Sequence, residues 1–122
     1  MEKLFLAIAA LYGLSGVALG AFAAHGLKNR LDEYSLGIMQ TATQYQLIHA
    51  VAMLAILGLP WAADRLVQAA LICFALGVLL FSGSLYALAL SGIKALGAIT
   101  PIGGLLFLAG WGLLLVLAFR SN

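Results

Sequence analysis

The stretch LFLAIAALYGLSGVALGAFAA occupies residues 4–24 and contains no charged side chain. A helix needs about 20 consecutive apolar residues to cross a hydrocarbon core of about 30 Å, and this run is long enough. Two further uncharged runs, residues 66–90 and 99–119, meet the same condition. The three runs therefore predict membrane-spanning helices.

A fourth helix is predicted between the first two of these runs, and it is more polar. Strictly apolar sequence covers mainly residues 47–59, which alone is too short to cross a bilayer. Extended back to Gly37, the segment is long enough but includes QTATQYQ at residues 40–46 and then His49. Because it lies between two predicted spans, we interpret 37–59 as a transmembrane helix whose polar first half faces neighbouring helices.

The composition also indicates that lipid surrounds the chain. Of the 122 residues, 65% are apolar and 8% are charged, whereas soluble domains are about 45–50% apolar and about 25% charged. We therefore predict an all-α fold, an integral membrane four-helix bundle with both termini on the same side. It forms a single transmembrane domain over residues 1–122, with spans at about 4–24, 37–59, 66–90 and 99–119.

The orientation of these spans in the membrane stays open. Positive residues normally accumulate on the cytoplasmic side of a membrane protein. With four spans, three basic residues fall on each side: Lys3, Arg65 and Arg120 against Lys28, Arg30 and Lys94.

The N-terminus admits a second interpretation. Lys3, the first apolar run and the sequence Ala21-Phe22-Ala23 resemble a cleavable signal peptide. The run is longer than the roughly 7–15 apolar residues of a typical signal peptide. We therefore favour an uncleaved first span.

Small residues recur every fourth position in the first run and again in the third. Such a pattern lets two helix backbones approach closely in lipid. A proline fits the first turn of the fourth helix, where its missing N–H would be unpaired anyway, and two glycines follow it. The predicted packing positions are Gly16, Gly20, Ala24, Gly83, Ala87, Pro101, Gly103 and Gly104.

Polar side chains recur on one face of the second predicted helix, and polar groups in lipid need hydrogen-bond partners. We expect partners on the other spans, which makes a candidate polar intramembrane cluster. Its members are Thr41, Gln44, Tyr45, Gln46, His49, Ser82, Ser84, Tyr86 and Thr100. His49 is either a neutral structural residue bonded across the bundle or a group that relays or gates a proton.

Several other kinds of site lack a signature in this sequence. Six basic residues form no patch for a phosphate backbone, so we expect no nucleic-acid partner. The sequence holds no carboxylate pair, nucleophile elbow or phosphate loop, and it predicts no enzyme and no cofactor. His25 and His49 are expected at different depths, which disfavours haem ligation, and no metal-ligand cluster accompanies them. The predicted spans also lack the buried glutamate on which four-span proton-coupled drug exporters depend.

Five motifs together resemble a known family along nearly the whole chain. They are GAFAAHGL at 20–27, TAxQYQxxHA at 41–50, LFSGSLY at 80–86, LGxITPIGG at 96–104 and GW at 110–111, where x is any residue. This combination is similar to the small four-helix membrane proteins of the domain of unknown function 423 family (the YgdD/YwdK-like proteins). Ala23 stands where some members have glycine, and it keeps the position small.

The resemblance implies a multi-pass protein of the bacterial inner (plasma) membrane. It also marks motif positions at His25, Gln44, Tyr45, Gln46, His49, Ser82, Ser84, Tyr86, Thr100 and Pro101. No catalytic role is implied, because the family has no assigned activity. We therefore expect a non-enzymatic structural or interaction protein whose partners are the bilayer and either a second copy or another membrane protein. The alternative is a small-solute or lipid transporter or channel lined by the polar face of the second helix.

Overall fold

The computed structural model describes residues 1–120, and the predicted all-α fold is confirmed. Its helices are α1 (Glu2–His25), α2 (Glu33–Leu57), α3 (Arg65–Ser91) and α4 (Thr100–Phe119), and a short 3-10 helix (Lys94–Ala98) precedes α4. These helices include nearly all of the four predicted spans. The depths at which they enter and leave lipid stay predictions.

Local signals set the starts of α2 and α3 and the end of α3. The carboxylate of Asp32 accepts a hydrogen bond from the backbone N–H of Ser35 at 2.8 Å, and Asp64 accepts one from Leu66 at 2.8 Å. Both aspartates therefore act as helix N-caps. The Ser35 N–H holds the pKa of Asp32 below its ordinary value. At the end of α3, Gly92 has φ +73°, a left-handed conformation that favours glycine.

Consecutive helices run antiparallel, and α2 and α3 form the central pair of the bundle. Helix α1 packs mainly on α2, and α4 packs on α3. Within residues 1–120 the backbones of α1 and α4 do not approach each other, and neither do those of α2 and α4. This arrangement is possible because a helix in lipid needs only one or two close neighbours, and lipid can cover its remaining apolar surface.

The start of α1 and the end of α4 lie at the same end of the bundle, as predicted. Arg120 forms an ion pair with Asp64 in the α2–α3 loop. Glu2 and Lys3 line a groove together with Leu57 and Gly58, at the end of α2. An even number of antiparallel helices requires this placement.

The main apolar core lies between all four helices; α1 contributes Phe5 and Ala9, and the fully buried side chains include Phe74, Met53 and Leu71. Large apolar residues elsewhere are exposed, with Leu14 at 73% and Leu108 at 69%. Helices α1 and α3, together with residues 94–119, are long and apolar enough to cross a membrane. Helix α2 is less apolar than these segments because its first half is polar.

Only some of the predicted small-residue positions are close contacts. A Cβ at Gly16 would lie 2.7 Å from the side chain of Leu47, so the small residues of α1 pack on α2 of the same chain. A Cβ at Gly103 would overlap the backbone of Phe81, which makes Gly103 the tightest approach between α3 and α4. Gly20 and Gly104 have looser neighbours at 3.9 Å.

Two of the predicted packing positions do not face another helix closely. A Cβ at Gly83 would meet no atom within 4 Å, because the flanking Ser82 and Ser84 are the residues that face α2 and α4. Ala24 is exposed, and the buried small residue at that end of α1 is Ala23. Ala87 is half-buried, and Pro101 lies in the first turn of α4.

Candidate functional site

The amide of Gln46 joins three helices in the middle of the bundle. Its Nε2 donates to the carbonyl oxygen of Tyr12 at 2.8 Å and to the hydroxyl of Ser15 at 2.8 Å. Its Oε1 accepts from the hydroxyl of Tyr86 at 2.6 Å. We call Tyr12, Ser15, Gln46 and Tyr86 the inner polar network. Gln46 is only 3% exposed, so these bonds satisfy an amide that has no water nearby.

The sequence of α1 makes room for this network. Gly16 follows Ser15 directly, and its missing side chain lets Leu47 and Gln46 pack against the α1 backbone. The hydroxyl of Tyr12 reaches past α2 and donates to the carbonyl oxygen of Ala75 on α3 at 2.6 Å. Helix α1 is therefore held to both central helices by polar contacts.

His49 uses both of its ring nitrogens inside the bundle. Nδ1 lies 2.8 Å from the carbonyl oxygen of Tyr45, and Nε2 lies 3.0 Å from the indole nitrogen of Trp111. An indole N–H can only donate, so Nε2 must accept and Nδ1 must carry the proton. The geometry assigns one neutral tautomer to His49.

Aromatic rings enclose the same imidazole. It stacks on Phe107 with ring centroids 3.7 Å apart and an interplanar angle of 8°, and it meets the edge of Phe74 at 5.0 Å. His49 is 3% exposed. A second proton, on Nε2, would face the Trp111 donor and find no acceptor there. The arrangement favours the structural interpretation of His49 over proton relay.

Two serines of α3, Ser82 and Ser84, bind the two helices on either side of it. The hydroxyl of Ser82 donates to the carbonyl oxygen of Ala42 on α2 at 2.7 Å. The hydroxyl of Ser84 lies 2.5 Å from that of Thr100 at the start of α4. The Thr100 hydroxyl makes this interhelical bond and caps no backbone N–H of α4.

Three members of the predicted cluster lie on the outside of α2. Thr41, Gln44 and Tyr45 are exposed. The Thr41 hydroxyl donates back to the carbonyl oxygen of Gly37 at 3.1 Å, and the Tyr45 ring packs on Phe81 at 4.7 Å. Gln44 has no hydrogen-bond partner for its amide among residues 1–120. The structure thus divides the nine predicted residues into an inner group and an outer group.

Sequence analysis overlooked several partners of the inner group. Tyr12 and Trp111 contribute polar atoms, and Phe74 and Phe107 form the aromatic surround of His49. One signal was available: the Trp111 indole lies in the middle of a charge-free run, where its N–H needs an acceptor. Phe74 and Phe107 gave no comparable signal, because phenylalanine is ordinary in any span.

Comparison with known proteins places this architecture in a family. Residues 19–104 match the family described as "Protein of unknown function (DUF423)". The UPF0382 inner membrane protein YgdD of Escherichia coli K12 is 45% identical, with 98% of this chain and 92% of YgdD covered. UPF0382 membrane proteins of Staphylococcus aureus and Haemophilus influenzae are 43% and 42% identical, and each alignment covers at least 97% of both chains.

This chain belongs to the DUF423 family. It is accordingly a multi-pass protein of the inner membrane, as the sequence motifs led us to expect, and the family carries no assigned activity. No solved structure matches the chain.

The two histidines of this chain lie far apart. His25 is the last residue of α1 and is exposed, whereas the Gln46 bonds to Tyr12 and Ser15 place His49 beside the middle of α1. The two imidazoles are therefore separated by about 20 Å along the bundle. Within the described part of the chain, no three His, Cys, Asp or Glu residues come together as metal ligands.

Proposed function

We propose that this DUF423 protein is a non-enzymatic membrane protein of the structural or interaction type. The observation that carries the proposal is the pairing of its interior polar groups with one another. In residues 1–120, no buried side-chain nitrogen or oxygen lacks a hydrogen-bond partner. The inner polar network and the His49–Trp111 pair thus serve to hold four helices in one arrangement.

The same pairing argues against a solute path through a single chain. A transport path needs polar groups that face water or a substrate. Gln46, His49 and Ser82 instead direct their polar atoms at neighbouring helices. A solute that replaced these contacts would leave several groups unpaired in a low-dielectric interior.

The proposal includes four membrane spans in a single domain, with α2 as one of them. Gln46 is bonded beside the middle of α1, between Tyr12 and Ser15. On the other side of α2, Phe107 and Trp111 flank the middle of α4 and both contact His49. The centre of α2 is therefore level with the centres of two apolar helices, so α2 lies at the same depth in the bilayer.

A transporter or channel is the second candidate, and the exposed amides of Gln40 and Gln44 favour it. These residues lie outside the bundle, so they line a path only if several chains assemble around it. Such a pore would expose α2 to water in the assembly.

Flux measurements separate the two candidates. The purified chain would be reconstituted in phosphatidylethanolamine–phosphatidylglycerol vesicles, and release of protons, potassium, small sugars and a fluorescent lipid would be followed. We expect release no faster than from protein-free vesicles. Release that increases with protein density and disappears in Gln44→Leu would replace the interaction proposal with the transport candidate.

A further inference from the structure

An unbroken row of exposed residues runs along the outside of α2. The spacing along this row alternates between four and three residues and averages 3.6. We call it the outer stripe, and its members are Gly37, Thr41, Gln44, Ile48, Val51 and Ala55. This spacing is the period of a straight α-helix, so the row stays on one face along α2 and can meet a single partner helix.

Of the two polar members of the outer stripe, Thr41 bonds to its own helix, whereas Gln44, near the centre of the stripe, does not. Gln44 lies one residue from the midpoint of α2 (Glu33–Leu57). The level of α2 relative to α1 and α4 then puts this amide near the bilayer midplane. No residue among 1–120 pairs with it, and hydrocarbon offers no hydrogen-bond partner either.

The other helices present a different chemistry to lipid at this depth. Their large exposed residues near mid-helix are Leu14 on α1, Leu79 on α3 and Leu108 on α4. Leucine is as apolar as a lipid tail and needs no cover. At this depth, α2 is therefore the helix that exposes a polar side chain without a hydrogen-bond partner.

We propose that the outer stripe is a self-association surface, and that it pairs with the outer stripe of a second copy of this chain. The two α2 helices lie parallel, with a twofold axis along the membrane normal and the Gln44 amides bonded to each other across it. This inference rests on the proposed interaction function and names the partner.

The chemistry of the stripe favours an identical partner. Equivalent residues of two copies that insert with the same orientation lie at the same depth. A carboxamide is both donor and acceptor, and two of them complement each other in a symmetric pair. Gly37, Thr41 and Ala55 are small residues, and they allow the two backbones to approach closely.

Cysteine cross-linking in bacterial inner membranes tests the surface directly. Ile48→Cys would be placed in a Cys73→Ser background, because Cys73 is the only native cysteine. Oxidation should yield a disulfide-linked dimer. Leu14→Cys, Leu79→Cys and Leu108→Cys, at matched depth on the other helices, should remain monomeric.

Substitution of the central amide tests its role. When Gln44→Leu is added to the Ile48→Cys variant, the yield of disulfide-linked dimer should fall about tenfold, because an interhelical amide bond contributes roughly that factor in lipid. Gln44→Asn should retain part of the yield, since it keeps a carboxamide. Resonance energy transfer between donor-labelled and acceptor-labelled protein in phosphatidylethanolamine–phosphatidylglycerol vesicles should decrease in the same order, from Gln44 to Gln44→Asn to Gln44→Leu.

Three outcomes would overturn the proposal. They are cross-linking at the leucine positions at the rate seen for Ile48→Cys, no dimer at any position, or a dimer indifferent to Gln44→Leu. None of these depends on solute flux, so self-association can fail while the interaction function stands. Vesicle leakage by the assembled chain would instead contradict the proposed function.

Discussion

The indole N–H of Trp111 donates to Nε2 of His49 over 3.0 Å and thereby joins α4 to α2. The backbones of these two helices do not come close within residues 1–120. Phe107 fills the space between them by stacking on the imidazole at 3.7 Å. The gap between α2 and α4 is thus closed by side chains alone, and a single proton position on His49 defines the contact.

This relationship predicts an energetic coupling between Trp111 and His49. Trp111→Phe removes the donor and keeps an aromatic ring, and His49→Phe removes the acceptor and keeps the stack on Phe107. A double-mutant cycle of unfolding in mixed detergent micelles should give a coupling of about 0.6 kcal/mol, the average for such bonds in membrane helices, and at most about 1.7 kcal/mol. Additive effects, with no coupling beyond error, would show that the two side chains are neighbours without a bond.

Substitution of Gln46 should lower the stability of the monomer much more than substitution of Gln44, although the two glutamines are only two positions apart. Gln46→Leu removes three hydrogen bonds and leaves the Tyr86 hydroxyl unpaired. We expect a loss of about 1–3 kcal/mol in the unfolding free energy of the monomer in detergent. Gln44→Leu should change it by less than about 0.5 kcal/mol, as for a surface position. Equal losses for the two variants would contradict the assignment of inner and outer faces.

Gly103 should tolerate no side chain. A methyl group there would overlap the Phe81 backbone, and overpacking of this kind costs about 1–3 kcal/mol. Gly103→Ala should therefore lower the detergent melting temperature. Gly83→Ala is the matched control: its Cβ meets nothing within 4 Å, and alanine is the better helix former by about 0.5–1 kcal/mol. A Gly103→Ala protein as stable as the unaltered chain would exclude the close α3–α4 approach.

The Asp64–Arg120 ion pair should hold the end of α4 in a pH-dependent way. The Arg120 guanidinium and the Leu66 N–H keep the pKa of Asp64 below its ordinary value of 3.8. A carboxyl whose pKa is lowered on folding adds stability above its unfolded pKa and loses it as pH falls through the folded value. The contact should therefore persist at neutral pH and weaken only below about pH 3.8.

The mobility of a spin label at Phe119→Cys, in the Cys73→Ser background, measures how firmly the ion pair holds the end of α4. This mobility at pH 7 should increase in Asp64→Asn, which can still cap α3 but loses the charge. The control is Asp32→Asn, which changes the other capping aspartate and should leave the label unaffected. If Asp64→Asn and the unaltered chain give the same spectrum at pH 7, the ion pair does not fasten α4.

The helices and their membrane setting could be predicted because the signals are local. Charge-free runs such as residues 99–119 exceed the thickness of a hydrocarbon core, and backbone groups in lipid must bond within a helix. The motifs from Gly20 to Trp111 likewise indicated the family correctly. Candidate residues such as Gln46 and His49 followed from the cost of placing polar groups in lipid.

What the sequence alone determined is therefore the number of helices, their approximate limits and the medium around them. Only the tertiary structure decided which way α2 is rotated. Gln44 and Gln46 are about 200° apart on the helix, and hydrophobicity does not distinguish their directions, because neighbouring helices and lipid tails are both apolar. The choice depends on partners distant in sequence: Ser15, Tyr86 and Trp111 draw Gln46 and His49 inward. Gln44 is left facing outward, where we propose that a second chain meets it.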